Sequence, residues 1–176
     1  NKNFSDKGAY QKVAYFYGLE LYMNDDYRNA SINFEKDLKN RVNPEISAKA
    51  VFWKAESDFN LNRMQEALRG YQEFNSMSGS AGLAEKENLD YNIAYSYFKQ
   101  KEYGKAIDFF NRYANNSEKD NAMRNDAYTR LGDTYFVTSK SLPAMEDYTK
   151  AINMNLGNTD YVSYQKAINY GFVDIN

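Results

Sequence analysis

The chain has 176 residues, about the length of one domain, and its 22 Lys and Arg against 24 Asp and Glu give a net charge of -2. It contains no Cys and no His, which excludes thiolate nucleophiles, imidazole bases, disulfides and the commonest zinc ligands. The basic residues form no stripe that could neutralise several phosphates, and no apolar run approaches the roughly 18 residues needed to span a bilayer. We therefore expect no cofactor, no metal, no nucleic acid and no membrane span in this chain.

A repeat of helical hairpins runs along the sequence. Small residues recur 37, 39, 38 and 39 residues apart, at Gly18, Ala55, Ala94, Gly132 and Gly171. Three further columns follow each of the first four: an aromatic after four residues (Tyr22, Phe59, Phe98, Phe136), an alanine after twelve (Ala30, Ala67, Ala106, Ala144) and an aromatic after sixteen (Phe34, Tyr71, Phe110, Tyr148). Spacings of four place side chains on one helical face, so each repeat predicts two short helices.

In chain order, the repeats span about residues 9–42, 43–79, 80–117 and 118–156, with a partial fifth repeat or cap over 157–176. Stacked hairpins bury one continuous core, so we expect a single domain over 1–176. The fold class predicted is all-α, a right-handed α-solenoid of stacked antiparallel hairpins. Because the fifth repeat lacks a second helix, we expect either a piece of a longer protein or a capping helix.

The turns carry helix-start signals. Asn24, Asp25 and Asp26 supply cap acceptors before a second helix, and Asn43 before Pro44 predicts a capped helix start. Asn62 with Gln65 predicts a capping box.

These columns resemble the tetratricopeptide repeat. The fourth repeat, residues 127–136 with Ala144, Tyr148 and Ala151-Ile152, is similar to the family pattern of aromatic, Leu-Gly, Tyr, Ala, aromatic, Ala. The resemblance covers about residues 9–172. Lys54 and Asp58 depart from it, and the period exceeds the family's usual length. Longer repeats of this style are similar to those of bacterial cell-envelope proteins, so we expect an envelope or periplasmic location, with the cytoplasm left open.

The resemblance implies that the first helix of each hairpin lines a concave wall where peptides bind. Carried over by column, the expected contacts are Tyr15, Leu19, Tyr22, Phe52, Glu56, Phe59, Tyr91, Tyr95, Phe98, Asp133 and Phe136. Tyr15, Tyr91 and Tyr95 are expected to be the exposed ones. The carboxylate clamp of chaperone-binding members is absent. The wall would suit an apolar or basic segment of a protein or peptide.

Other interpretations of these residues are weaker. We expect one aromatic column to lie in the core: Phe34, Tyr71, Phe110 and Tyr148. For the column of Tyr22, a place in the core and a role as a partner contact are both open. Neither Asp25 with Asp26 nor Glu56 with Asp58 has the geometry of an acid–base pair, so no catalysis is expected. Asp120, Asp126 and Asp133 lack the spacing of a calcium loop.

The sequence thus favours a non-enzymatic protein-interaction scaffold. Two alternatives stay open. One is a glycan-binding module, since exposed aromatics stack on sugar rings. The other is a regulatory or sensory array attached to a catalytic domain outside this chain.

Overall fold

The computed structural model describes residues 2–156 and 159–173, with side chains over 6–156 and 159–171. Every regular element in these ranges is helical, which confirms the all-α class of stacked helical hairpins. The helices are α1 (Lys2–Met23), α2 (Tyr27–Leu38), α3 (Pro44–Asn60), α4 (Met64–Ser76), α5 (Leu89–Lys99), α6 (Tyr103–Ala114), α7 (Asn121–Val137), α8 (Ser141–Met154) and α9 (Thr159–Val173). One-turn 3-10 helices, Ser78–Ser80 and Ala84–Lys86, precede α5.

The helices pair as the repeat predicts. Hairpins 1 to 4 are α1–α2, α3–α4, α5–α6 and α7–α8, and α9 packs on α7 and α8. The chain divides into two compact units, an N-terminal unit Asn1–Leu89 with hairpins 1 and 2 and a C-terminal unit Asp90–Asn176 with the remainder. The single domain over 1–176 stays a prediction.

The predicted core columns are confirmed. All four alanines and all four aromatics of the second helices are completely buried. The small residue of the first helix makes room for that aromatic: a Cβ on Gly18 would lie 2.8 Å from the Phe34 ring, and one on Gly132 would lie 2.3 Å from the Tyr148 ring. A Cβ on Gly171 of α9 would meet no described atom within 4 Å.

All four hairpins close with the same type of backbone turn. Asp25, Asn62, Lys101 and Ser139 each stand seven residues after the small residue, and their φ angles are 61°, 60°, 62° and 59°. In hairpin 1, the Asp25 N–H donates to the Tyr22 carbonyl and the next N–H to the Leu21 carbonyl, and the other three turns repeat both bonds. This is the Schellman arrangement, in which a left-handed residue satisfies the last carbonyls of a helix.

Two of the three predicted caps are confirmed. The Asp26 side chain accepts from the Asn29 N–H, and the Asn43 side chain accepts from the Ile46 N–H with Pro44 in the first turn. The capping box of Asn62 with Gln65 is wrong. Asn62 is the left-handed turn residue, and α4 begins after Arg63 without a side-chain cap.

Candidate functional site

First helices of neighbouring hairpins contact one another within each unit. In the N-terminal unit α1 packs on α3, and in the C-terminal unit α5 is hydrogen-bonded to α7, which packs on α9. We call the side chains of these helices the first-helix face. The contacts expected from sequence lie on these helices. Leu19, Tyr22, Glu56 and Phe59 are partly exposed in the N-terminal unit. Tyr91, Tyr95, Phe98 and Phe136 are partly exposed in the C-terminal unit.

Two expected contacts of the N-terminal unit are core residues instead. Tyr15 and Phe52 are each only 6% exposed. Tyr15 packs in a cluster with Ala30, Phe34 and Ala50, and its burial raises its pKa to about 12. The expectation that Tyr15 is exposed is therefore wrong, because the second helix of its own hairpin covers it.

Tyr22 is the centre of the N-terminal part of the face. Its ring packs edge-on against Trp53 of α3, with centroids 5.0 Å apart. The Asn60 Nδ2 donates to the Tyr22 hydroxyl over 3.3 Å, and this hydroxyl donates to a Glu56 carboxylate oxygen over 3.5 Å. The other Glu56 oxygen accepts from the Tyr71 hydroxyl at 2.6 Å. The half-exposed aromatics are thus fixed by bonds to the neighbouring hairpin.

Asp126 joins α5 to α7 in the C-terminal unit. Its Oδ2 accepts from the hydroxyls of Tyr91 and Tyr95, at 2.8 and 2.6 Å. The Arg130 Nε donates to the Tyr95 hydroxyl at 2.8 Å, and Arg130 also pairs with Asp126. Burial, reinforced by Asp126, raises the pKa of Tyr95 to about 12, so both tyrosines remain neutral donors.

Asp133 continues this network toward α9. One of its carboxylate oxygens accepts from Tyr148 at 3.0 Å and from Tyr161 at 3.1 Å, and the other pairs with Arg130 at 2.8 Å. Asp133 is only 9% exposed. It was expected as an open acidic contact, and this is wrong because internal donors surround it.

Two acidic residues of the face, Glu56 and Asp133, have the same structural role. Glu56 and Asp133 both stand one residue after the small residue, and both accept a hydrogen bond from the second-helix tyrosine fifteen residues later. In hairpins 1 and 3 the second-helix aromatic is Phe, and the position after the small residue is Leu19 or Tyr95. An acid therefore occurs where the second helix provides a tyrosine hydroxyl that donates to it. This internal hydrogen bond makes the carboxylate less available to a basic partner.

One column of the first-helix face, two residues before the small residue, was not predicted from the sequence. It contains Phe16, Trp53, Asn92 and Arg130, of which Phe16 is 61% exposed and the others are partly exposed. Trp53 contacts Tyr22, and Arg130 contacts Tyr95, so each reaches the preceding hairpin. This column lies one residue, or about 100° around the helix, from the column of Tyr15 that was chosen by family analogy. That neighbouring position is the signal that could have identified it.

Among the described residues, no group of three or more Asp, Glu, His or Cys could hold a metal ion. Within the same ranges, no helix is both long enough and apolar enough to cross a membrane. Asp120 caps α7, and Asp126 and Asp133 serve the network described above.

Residues 89–119, which comprise hairpin 3, match the model of the tetratricopeptide repeat. Comparison with curated protein sequences gives no match. Among solved structures, two crystal structures of MamA are similar. One has a TM-score of 0.76 at 18% identity over 93% of this chain and 82% of that chain, and the other has 0.73 at 18% over 89% and 84%. BtubC (BKLC) from P. vanneervenii has a TM-score of 0.60 at 14% identity over 97% and 82%. At these identities the likeness is one of fold.

Proposed function

We propose that this chain is a tetratricopeptide-repeat protein that acts as a non-catalytic interaction scaffold, and that the first-helix face of each unit binds a segment of a protein partner. One observation carries the proposal: this face presents partly exposed aromatic rings that neighbouring helices already hold in place. Tyr22 and Trp53 represent it in the N-terminal unit, and Tyr91, Tyr95 and Phe98 represent it in the C-terminal unit.

Fixed rings suit binding because they lose little freedom when a partner arrives. Ordering a mobile side chain at an interface costs about 0.5–1.5 kcal/mol, and tyrosines held by Asp126 have met much of that cost on folding. Aromatic anchors in a desolvated patch can each contribute about 2 kcal/mol or more. The face therefore has the chemistry of a preorganised binding surface.

The side chains define the partner's character. Tyr22, Trp53 and Phe59 offer apolar contact area, and the Asn60 amide beside Tyr22 offers a polar one. Because Glu56 and Asp133 bond to internal hydroxyls, apolar side chains contribute more to this interface than basic ones do. A segment with apolar side chains on one side, extended or helical, fits this surface.

Site-specific photo-cross-linking tests the proposal. A photoreactive phenylalanine analogue is placed at Phe98 or Phe136 on the first-helix face, and at Ile32 or Leu142 on second helices. Ile32 and Leu142 are 47% and 64% exposed, more than the partly exposed Phe98 and Phe136, so weaker cross-linking at these two controls would not be due to lower accessibility. We expect one protein segment, identified by mass spectrometry, to cross-link at Phe98 and Phe136 and not at Ile32 or Leu142.

Three outcomes would contradict the proposal. Equal cross-linking at all four positions would show a non-specific surface. Cross-linking of the same segment at Ile32 or Leu142 alone would place the interface on the second helices. Cross-linking to polysaccharide instead of protein would favour the glycan-binding alternative.

A cell-envelope location belongs to the proposal and rests on the long repeat period. Fractionation of the native cells with an antibody against this chain tests it. We expect the chain in the envelope fraction, and recovery in the cytoplasmic fraction would contradict that location without affecting the interaction face.

A further inference from the structure

Two helices carry most of the apolar surface that is left exposed. Among the residues whose side chains the structure describes, eight of the twelve exposed large hydrophobic side chains lie on α1 or α9. They include Tyr10, Val13 and Tyr17 on α1, and Tyr161 and Tyr164 on α9, all of which are at least 41% exposed. Single exposed apolar side chains need no explanation, but groups of them mark contact surfaces.

The α1 side chains Tyr10, Val13 and Tyr17 form one stripe along the helix, which we call the α1 stripe. Their spacing of i, i+3 and i+7 places them within about 60° of one another around the helix. Val13 follows Gln11 by two residues and so lies about 200° from it. The Gln11 side-chain amide donates to the Ser47 hydroxyl of α3 at 3.0 Å. The α1 stripe therefore faces away from α3.

The repeat shows what packs on this stripe in other hairpins. Val13 and Tyr17 stand five residues and one residue before the small residue. In α7 these positions are Ala127 and Leu131, both completely buried, and α6 of the preceding hairpin packs on α7. In α3 the first of them is Ala50, which is buried in a cluster with side chains of α2. The α1 stripe thus stands where the repeat packs a helix.

Helix α9 has a second stripe with the same spacing, which we call the α9 stripe. Tyr161, Tyr164 and Ile168 are again spaced i, i+3 and i+7, and Ile168 is half-exposed. A different side of α9 packs on α8. There the buried Asn169 donates through its side-chain amide to the Ser141 carbonyl at 2.6 Å. The α9 stripe is therefore also open to a further helix.

We propose that a second copy of this chain supplies that helix, so that the α1 stripe of one copy packs against the α9 stripe of another. Both stripes belong to one chain, so every copy carries the apolar surface that the other stripe lacks. Mutual packing removes both from water. Because the two surfaces differ, the contact is head-to-tail and lets further copies add. It does not involve Tyr22 or Trp53, and so does not rest on the proposed function.

The charges disfavour a symmetric pair of α1 helices. Asp6 and Glu20 are exposed and lie in line with the α1 stripe, one beyond each end. In an antiparallel pair centred on Val13, Asp6 of one copy would face Glu20 of the other, and like charges repel. The α9 surface has one acid, Asp160 at its start, and one base, Lys166. The head-to-tail contact therefore meets less repulsion than the symmetric one.

Sedimentation velocity of the full chain, whose mass is 20.5 kDa, tests the association. A contact between two helices is small for a protein interface, so we expect the average mass to rise over about 10–500 µM. Val13→Glu and Tyr164→Glu should each keep the mass of one chain. Leu142→Glu is the control, because Leu142 of α8 is as exposed as Tyr164, and it should associate like the unmodified chain. An unmodified chain that stays monomeric throughout this range would overturn the proposal.

A mixture of the two variants separates the head-to-tail contact from a symmetric one. Val13→Glu keeps its α9 stripe and Tyr164→Glu keeps its α1 stripe, so one contact can form between them. We expect a complex of one copy of each and no larger species. Association of either variant alone would indicate a symmetric pair and overturn the proposal. A mixture that stays monomeric, although both variants keep the circular dichroism of the unmodified chain, would overturn it as well.

Cysteine variants keep the test informative if a glutamate variant unfolds. The chain has no Cys, so Val13→Cys and Tyr164→Cys each add one reactive thiol at an exposed position. We expect a short bismaleimide to join the two variants to each other in a mixture, and not to join copies of either one alone. Equal cross-linking of Val13→Cys to itself would contradict the head-to-tail contact.

Discussion

Buried carboxylates of the two units have different neighbours. Asp37 on α2 and Asp147 on α8 are both buried, at 0% and 4% exposure. Asp147 pairs with Lys150 at 2.7 Å, whereas no hydrogen bond from the described residues reaches either carboxylate oxygen of Asp37. Burial raises the pKa of Asp37 to about 7 against smaller lowering effects of Gln11 and Arg41, and it also raises that of Asp147. The same repeat fold can thus hold a buried acid in two ways: as a carboxylate paired with a cation, or as a protonated group.

The repeat makes Asp37 stand out. Its position is Phe74, Tyr113 and Ala151 in hairpins 2 to 4, all of which are buried. An acid in a core column lowers stability wherever it must ionise. The N-terminal unit is therefore expected to respond to pH more strongly than the C-terminal unit does.

The largest expected effect concerns hairpin closure in the C-terminal unit. Gly132→Ala places a Cβ 2.3 Å from the Tyr148 ring, so the hairpin must open or the ring must move. We expect a loss of about 3 kcal/mol in the free energy of unfolding, measured by urea denaturation. Gly171→Ala in the same column of α9 meets no described atom and is the control, with no loss or a gain of up to about 1 kcal/mol. Similar losses from both changes would contradict this account of the small column.

The second effect tests the difference between the buried acids Asp37 and Asp147. Unfolded Asp37 ionises near 3.8, while folded Asp37 keeps its proton to about 7, so stability is fully present below about pH 4 and falls as the pH rises to about 7. We expect Asp37→Asn to remove this slope and to raise stability at pH 8 by about 2 kcal/mol. Hydrogen exchange of α2 amides at pH 5 and pH 8 measures it.

Asp147→Asn is the matched control for that experiment. Lys150 offsets part of the burial cost of Asp147. Removal of the Asp147 carboxylate should therefore change the dependence of stability on pH less than removal of the Asp37 carboxylate does. An Asp37→Asn variant whose stability runs parallel to that of the unmodified chain between pH 4 and pH 8 would show that Asp37 is not the group that titrates.

The third effect compares the two tyrosine–acid pairs. Tyr71→Phe removes a 2.6 Å bond to Glu56, and Tyr148→Phe removes a 3.0 Å bond to Asp133. Asp133 keeps Tyr161 and Arg130 as donors, so we expect a loss of about 1.5 kcal/mol for Tyr71→Phe and about 0.5 kcal/mol for Tyr148→Phe. Thermal unfolding of the two variants measures both, and the reverse order would contradict the compensation by the C-terminal network.

The smallest effect concerns the turns. Lys101 and Ser139 adopt left-handed φ angles that are unfavourable for side chains with a Cβ, whereas Asn62 tolerates this region better. Lys101→Gly and Ser139→Gly are each expected to add about 0.5 kcal/mol, and Asn62→Gly less. Chemical denaturation compares the three, and a loss on Lys101→Gly would mean that its side chain stabilises the turn.

Much of the fold could be predicted because close packing imposes strict residue types. Gly18 and Gly132 face large rings, and only a small residue fits there, so their spacing is visible in the sequence. The turns were not visible, since Asp25, Asn62, Lys101 and Ser139 share a backbone conformation without sharing a side-chain type. The backbone bonds of the Schellman turn demand a φ angle, and they leave the side chain free.

The candidate site could be predicted only in part. The sequence predicts contacts on the first helices, and of the side chains that it predicts to be exposed, Tyr91 and Tyr95 are partly exposed. It misjudged Tyr15 and Asp133, because the burial of a helix face depends on side chains from other helices that no local spacing reveals. The hydrogen bond of Tyr148 to Asp133 joins residues of different helices, so the sequence alone does not reveal it. The equivalent bond of Tyr71 to Glu56 in the structure shows that it recurs.

The uniform hairpin turns also make this chain suited to spectroscopic measurement. Asn62, Lys101 and Ser139 are exposed, and their backbone angles agree within a few degrees despite unrelated side chains. A probe attached at such a site inherits a fixed backbone direction without disturbing a packed side chain. Labels at Lys101 and Ser139 would report the distance between hairpins 3 and 4 directly, so a change in that distance on partner binding could be followed in solution.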